Sequence, residues 1–96
     1  MTDDILRTRL NQETSRIAWK ELLRFFAGGS VIAVGGELDL LEVAVHISND
    51  DKEQIEQWLD QEKIGKVSDE QARTWLETGA EVWAVVVKPW ILVQSV

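Results

Sequence analysis

The sequence predicts an α+β fold in which four or five short helices pack on a small sheet of two or three strands, formed by Val31–Val34 and residues 82–93. Three observations lead there. Residues 81–94, Glu-Val-Trp-Ala-Val-Val-Val-Lys-Pro-Trp-Ile-Leu-Val-Gln, make the longest apolar run and are rich in the β-branched and aromatic side chains that suit a pleated surface. Val-Ile-Ala-Val at positions 31–34 is a second apolar run, bracketed by Gly-Gly-Ser and Gly-Gly turns. Elsewhere the apolar residues recur at helical spacing.

In chain order, residues 3–15 read as a first helix, with Asp3 or Asp4 able to cap it and to face the positive end of its dipole. Leu6, Leu10 and Ile17 share one side of a helical projection, whereas Trp19, Leu22, Leu23 and Phe26 share the opposite side. One straight helix cannot bury both stripes against one surface. A break within residues 14–18 follows, with a second helix over residues 18–27 that Gly28-Gly29 closes. Leu40, Val43, Ala44 and Ile47 give a helix over residues 40–47 with Asp39 as its cap, and the partial alternation of residues 42–47 leaves a strand as the alternative. Ser48-Asn49-Asp50 supplies a cap for a further helix over residues 51–62, with Ile55, Trp58 and Leu59 inward and an acidic outer face. Ile64-Gly65-Lys66-Val67 is a connector with room for a strand of two or three residues. Ser68 and Gln71 form a capping box for a last helix that buries Ala72, Trp75 and Leu76 and stops at Gly79. In the closing run Val82, Ala84 and Val86 point one way and Trp83, Val85 and Val87 the other, so helices or a second subunit should cover both faces. Pro89 cannot donate to a ladder and marks an edge, a bulge or a bend there.

Residues 1–96 are read as a single domain. The chain has five Trp, no Tyr and no Cys, which removes disulfides, thiolate metal sites and cysteine nucleophiles. Its net charge is −7: residues 1–30 carry five basic against four acidic side chains and the remainder five against thirteen. Such a body repels phosphate backbones and anionic lipid, so nucleic acid and membrane are not expected partners. The start, Met-Thr-Asp-Asp, is unlike a secretory signal, and the longest apolar run falls short of the roughly 20 residues of a membrane helix, so a cytoplasmic location is expected.

Few groups could carry chemistry. His46 is the only histidine, one helical turn from Glu42 and from Asp50, which makes a pH-responsive ion pair or a weak metal site; a solvated histidine on a polar face is the plainer reading. No metal, cofactor or catalytic residue is expected. The five serines lie in no Gly-x-Ser-x-Gly elbow, the paired glycines lack the Walker and dinucleotide patterns, and the acidic run from Asp50 to Glu62 lacks the spacing of a calcium loop. Lys88-Pro89-Trp90 stands out as a proline, a cation and an aromatic ring at a point where the ladder is interrupted, a combination found at interface centres. With Glu42 and His46 these three are the candidate binding residues. The expectation is a non-enzymatic interaction module that self-associates or docks on another protein. The alternative is a small-molecule-binding or accessory catalytic domain, its pocket lined by tryptophans and carboxylates such as Glu13, Glu21 and Glu42.

Several segments stand out by their order: Leu10-Asn11-Gln12-Glu13-Thr14, Ile17-Ala18-Trp19-Lys20-Glu21-Leu22, Phe25-Phe26-Ala27, Leu38-Asp39-Leu40, Glu42-Val43-Ala44, Ser68-Asp69-Glu70-Gln71-Ala72, Trp83-Ala84-Val85-Val86-Val87 and Pro89-Trp90-Ile91-Leu92-Val93-Gln94. In that order they resemble the bacterial family called domain of unknown function 2288. The resemblance spans nearly the whole chain and implies a short, single-domain, cytoplasmic bacterial protein. It brings with it no activity, cofactor or catalytic residue.

Overall fold

The computed structural model describes residues 2–96, the side chains of residues 2–4 excepted, so the capping role given to Asp3 or Asp4 lies outside the described residues. Helix α1 (Thr2–Glu13) ends where the Thr14 amide and hydroxyl both donate to the Leu10 carbonyl, at 2.9 and 2.7 Å. The break expected at residues 14–18 is itself a strand, β1 (Ser15–Ala18). A 3-10 turn (Trp19–Leu22) and a short helix α2 (Leu23–Ala27) then replace the continuous second helix. Strand β2 (Val31–Val34) follows the glycine turn, in which Gly29 takes a φ of 76°.

Helix α3 (Leu40–Ser48) settles the helix-or-strand question for residues 40–47, and Asp39 caps it by accepting from the Leu41 amide. Helix α4 (Lys52–Asp60) is capped by Asp51 and not by Ser48-Asn49-Asp50, because Asp50 turns the chain at a φ of 56° before the helix begins. The connector after it is strand β3 (Ile64–Lys66). Helix α5 (Asp69–Thr78) has the expected ends: Ser68 Oγ accepts from the Gln71 amide, and Gly79 closes the helix at a φ of 64°, where a side chain would be strained. Strands β4 (Glu81–Val87) and β5 (Trp90–Ser95) pair as an antiparallel hairpin, so Pro89, whose peptide bond with Lys88 is cis, lies in the bend between two strands.

All five strands join one sheet in the order β1-β4-β5-β2-β3, with β2 and β5 parallel and every other pair antiparallel. The expectation of two or three strands therefore understates the sheet, while the α+β class and the pairing of β2 with the closing run hold. The strands left out of the expected sheet are its two ends, β1 and β3, although the sequence leaves room for a short strand at residues 64–67. Each has three or four residues and one large inward residue, Ile17 or Ile64, and each is fixed by tertiary pairing: Ile17 opposite Val82, Ile64 opposite Val34.

Helices cover both faces of the sheet. On the first face Val34, Val85, Val87 and Leu92 pack against Leu10 of α1, Val43 and Ala44 of α3 and Trp58 of α4. On the second face Val31, Val82, Ala84, Ile91 and Val93 pack against Trp19, Leu22 and the α5 residues Ala72 and Trp75. The expected cover on both sides of β4 is present but incomplete, since Trp83 and Val86 emerge 39% and 51% exposed. Loop 35–39 is pinned to the sheet by Gln94, whose Nε2 donates to the Gly35 and Leu38 carbonyls at 2.9 and 2.6 Å. Arg7 reaches the Asp39 carboxylate at 2.6 Å and ties α1 to the start of α3, but both side chains are about half exposed, which limits such a pair to roughly 0–1 kcal/mol.

The second core is centred on Trp19, which is wholly buried with its ring 4.9 Å from that of Trp75 and 5.7 Å from that of Phe26. The ring holds the 3-10 turn and α5 together on the sheet. Trp19→Ala should lower the unfolding free energy by about 3–5 kcal/mol, the usual cost of emptying a large aromatic site, as read from urea denaturation of the full chain.

Candidate functional site

The β4–β5 turn does not stand alone at the surface. Lys88, Pro89 and Trp90 form one wall of a groove of about 410 Å³ on the first face. Ile32 of β2 and Ile64 and Lys66 of β3 make its floor and far end. Ile47 of α3 and Ile55 and Leu59 of α4 make the opposite wall, with Asp50 at the turn between these helices. The assembly follows from the local structure. Trp90 and Leu92 alternate onto the same face, Ile32 lies opposite both Leu92 and Lys66, and the helical spacing of Ile55 and Leu59 brings both to the groove, although Leu59, expected inward, stays 47% exposed at its rim. Seven aliphatic or aromatic side chains against one carboxylate and two ammonium groups make a mostly apolar concavity with a polar rim.

Both ammonium groups are unneutralised. Arg7, Arg9 and Arg16 each hold a carboxylate, whereas Lys66 and Lys88 form no ion pair among the described residues. Lys66 reaches along the sheet end, its Nζ 3.6 Å from where a side chain on Gly29 would begin. The groove thus carries a locally positive rim on a chain of net charge −7.

The other two candidate residues lie elsewhere. Glu42 borders a smaller hollow of about 240 Å³ with Glu37, Asp39, Gln54 and Trp58. The remaining carboxylates of the alternative pocket are not gathered with it: Glu13 pairs with Arg9 at 3.5 Å on α1, and Glu21 lies in the 3-10 turn over the second face. His46 neither joins the Lys88 groove nor pairs with Glu42 or Asp50. Its Nδ1 meets Asp51 Oδ2 at 2.9 Å, and its ring stands edge-on to Trp58 at 5.2 Å. The reason is the turn at Asp50, which ends the helical register and brings the next carboxylate back over the last turn of α3. Among the described residues no group of three or more His, Asp or Glu side chains could hold a metal ion.

Asp51 therefore has two roles at the α3–α4 junction: one oxygen meets the His46 ring and the other accepts from the Gln54 amide. The hydrogen bond with His46 first, and that from Gln54 second, hold its carboxyl below the ordinary carboxylate value. A carboxyl whose pKa falls on folding stabilises the fold above its unfolded value and loses that contribution as pH drops through the lower folded value. Wild type should accordingly resist urea better than Asp51→Asn at neutral pH, with the gap closing on acidification through the carboxylate range. A gap that is constant with pH would show that the charge is not involved.

No helix among the described residues is long and apolar enough to cross a membrane. No match was found among curated proteins. The NMR solution structure of PA1075 from Pseudomonas aeruginosa is similar to this chain at 41% identity with a TM-score of 0.83, over 95% of this chain and 84% of that one. A family profile described as "Protein of unknown function (DUF2288)" matches residues 5–95, which include both walls of the groove and all five strands. By that match over nearly its whole length, the chain belongs to the DUF2288 family.

Proposed function

We propose that this chain is a non-enzymatic protein-interaction module that works in the cytoplasm and receives a partner segment in the groove beside Lys88, Pro89 and Trp90. The observation that carries the reading is the conversion of that corner into the wall of an apolar concavity, with side chains contributed by β2, β3, α3, α4 and the β4–β5 turn. Trp90 beside an apolar floor of Ile32 and Ile64 suits an anchor at an interface centre, where a few aromatic side chains supply most of the binding energy, and Lys88 stands at the rim. A catalytic role has less support, because the single histidine is engaged with Asp51 and faces Trp58 rather than a nucleophile. The net charge of −7 disfavours nucleic acid as the partner. A small apolar ligand in the same groove is the second reading, supported by a volume of about 410 Å³, inside the roughly 300–1,000 Å³ of ligand pockets.

The test pairs Lys88→Glu with Leu59→Asp, two half-exposed or exposed positions on opposite walls. Affinity capture from the source cell should retain a protein on the wild-type chain and lose it by about tenfold or more on the double variant, with little change in the thermal midpoint. Sedimentation of the purified chain assigns the partner as a second copy if the mass doubles and the double variant reverts to a monomer. Equal capture by both chains, with no self-association, would overturn the reading.

A further inference from the structure

The groove just described stops at the outermost strand, and what lies beyond that strand is informative. In the β2–β3 ladder the Gly35 amide donates to the Lys63 carbonyl at 2.8 Å and the Val67 amide to the Val31 carbonyl at 3.5 Å, with Ala33 opposite Gly65 between them. These bonds place the polar groups of positions 63, 65 and 67 inward. Alternate positions of an antiparallel ladder face the other way, so the N–H and C=O groups of Ile64 and Lys66 point out of the sheet, where a further strand would bond.

Successive side chains of an added strand would point to opposite faces of the sheet, and this edge offers a concavity on each. On the first face is the groove of Ile55, Leu59 and Trp90, about 410 Å³; on the second is a broader one of about 590 Å³ lined by Gly65, Val67, Gln71 and Trp75. Both reach Leu59, Ile64 and Lys66, so they are two sides of one edge. Gly65 sits at the centre of it. Its φ is not positive, and a Cβ there would meet nothing within 4 Å, so neither the backbone nor the packing of this chain requires glycine. The missing side chain keeps the second groove open over the strand, as expected where another backbone approaches.

The charges select the occupant. Lys63, Lys66 and Lys88 line the two grooves with no carboxylate partner among the described residues, against Glu62 and Asp50. Edge lysines disfavour pairing between like edges, and a second copy added at this edge would bring its own Lys63 and Lys66 against these. An acidic strand would meet them favourably. At the opposite edge, by contrast, the cation of β1 is occupied, Arg16 holding Glu81 at 2.8 Å.

We infer that β3 is a strand-addition site, at which an extended acidic segment of another protein pairs as a sixth strand and sends alternate side chains into the two grooves. The inference rests on the interaction-module reading and specifies how the partner is held. A random decapeptide library displayed on phage and panned against the full chain supplies the probe. Enriched peptides should alternate apolar and acidic residues, slow the amide exchange of Ile64 and Lys66 in the complex, and bind about tenfold more weakly to Lys63→Glu/Lys66→Glu. Gly65→Val, which fills the second groove without touching the outward amides, should weaken binding too, with the amide spectrum of the free variant confirming that it folds. Peptides that perturb Pro89 and Trp90 while Ile64 and Lys66 exchange as in the free chain would overturn strand addition and leave the module reading intact. Enrichment of basic peptides would overturn the acidic occupant, and no enrichment at all would count against both readings.

Discussion

Leu92 and Val93 are neighbours in the chain, both fully buried, and they point into different cores. A one-sided sheet cannot satisfy that pair, because successive side chains of a strand point to opposite faces. β5 sits at the centre of the sheet and carries helices above and below, and most of the architecture follows from it. β4 returns beside it through the Pro89 turn, β2 fills its other side in parallel, and the two helical layers sort themselves by which of the two residues they cover. The Trp19 cluster on one face and the α1–α3–α4 layer on the other are separate solutions to one demand for burial.

The same constraint shapes the surface. A sheet whose centre is committed to two cores keeps its unpaired backbone groups for the ends, and both ends are short strands with basic residues, Arg16 in β1 and Lys66 in β3. Helices cover the middle of the sheet, and beside β3 they leave a concavity on each face. That is where the grooves open, where glycine replaces a side chain without any need of this chain's own, and where the unpaired lysines collect. The concentration of these features at one end distinguishes it from an evenly solvated surface.

The parts of this architecture that sequence could reveal are those with local causes. Asp39, Ser68 and Gly79 act on amides and carbonyls a few residues away, so their helices have visible ends. β2, β4 and β5 are apolar enough to declare themselves. β1 reads only as a break between helices because Ser15-Arg16-Ile17-Ala18 has one large apolar residue and becomes a strand only beside residues 81–84. β3 is legible as room for a short strand, but with a glycine and a lysine in it nothing local says that it joins the sheet beside β2. The Lys88-Pro89-Trp90 corner was legible as an interruption, but its opposite wall comes from α4, which no local pattern places there. His46 shows the limit most plainly. Helical spacing selects Asp50 as its neighbour, and a single left-handed residue hands the contact to Asp51.

The parallel pairing of β2 with β5 joins Val31 to Ile91, with three helices and two strands lying between them in the chain. Neither core can close until the last strand slots between β4 and β2, because Leu92 and Val93 each fill one of the two. Contacts between such distant segments carry a large loop-closure cost before they return any stabilisation. Assembly of this small protein is consequently governed by a late, central event. A chain still lacking its final strand would have helices with apolar faces and two sheet fragments but no place to bury them, and so the two halves should gain their order together rather than one after the other.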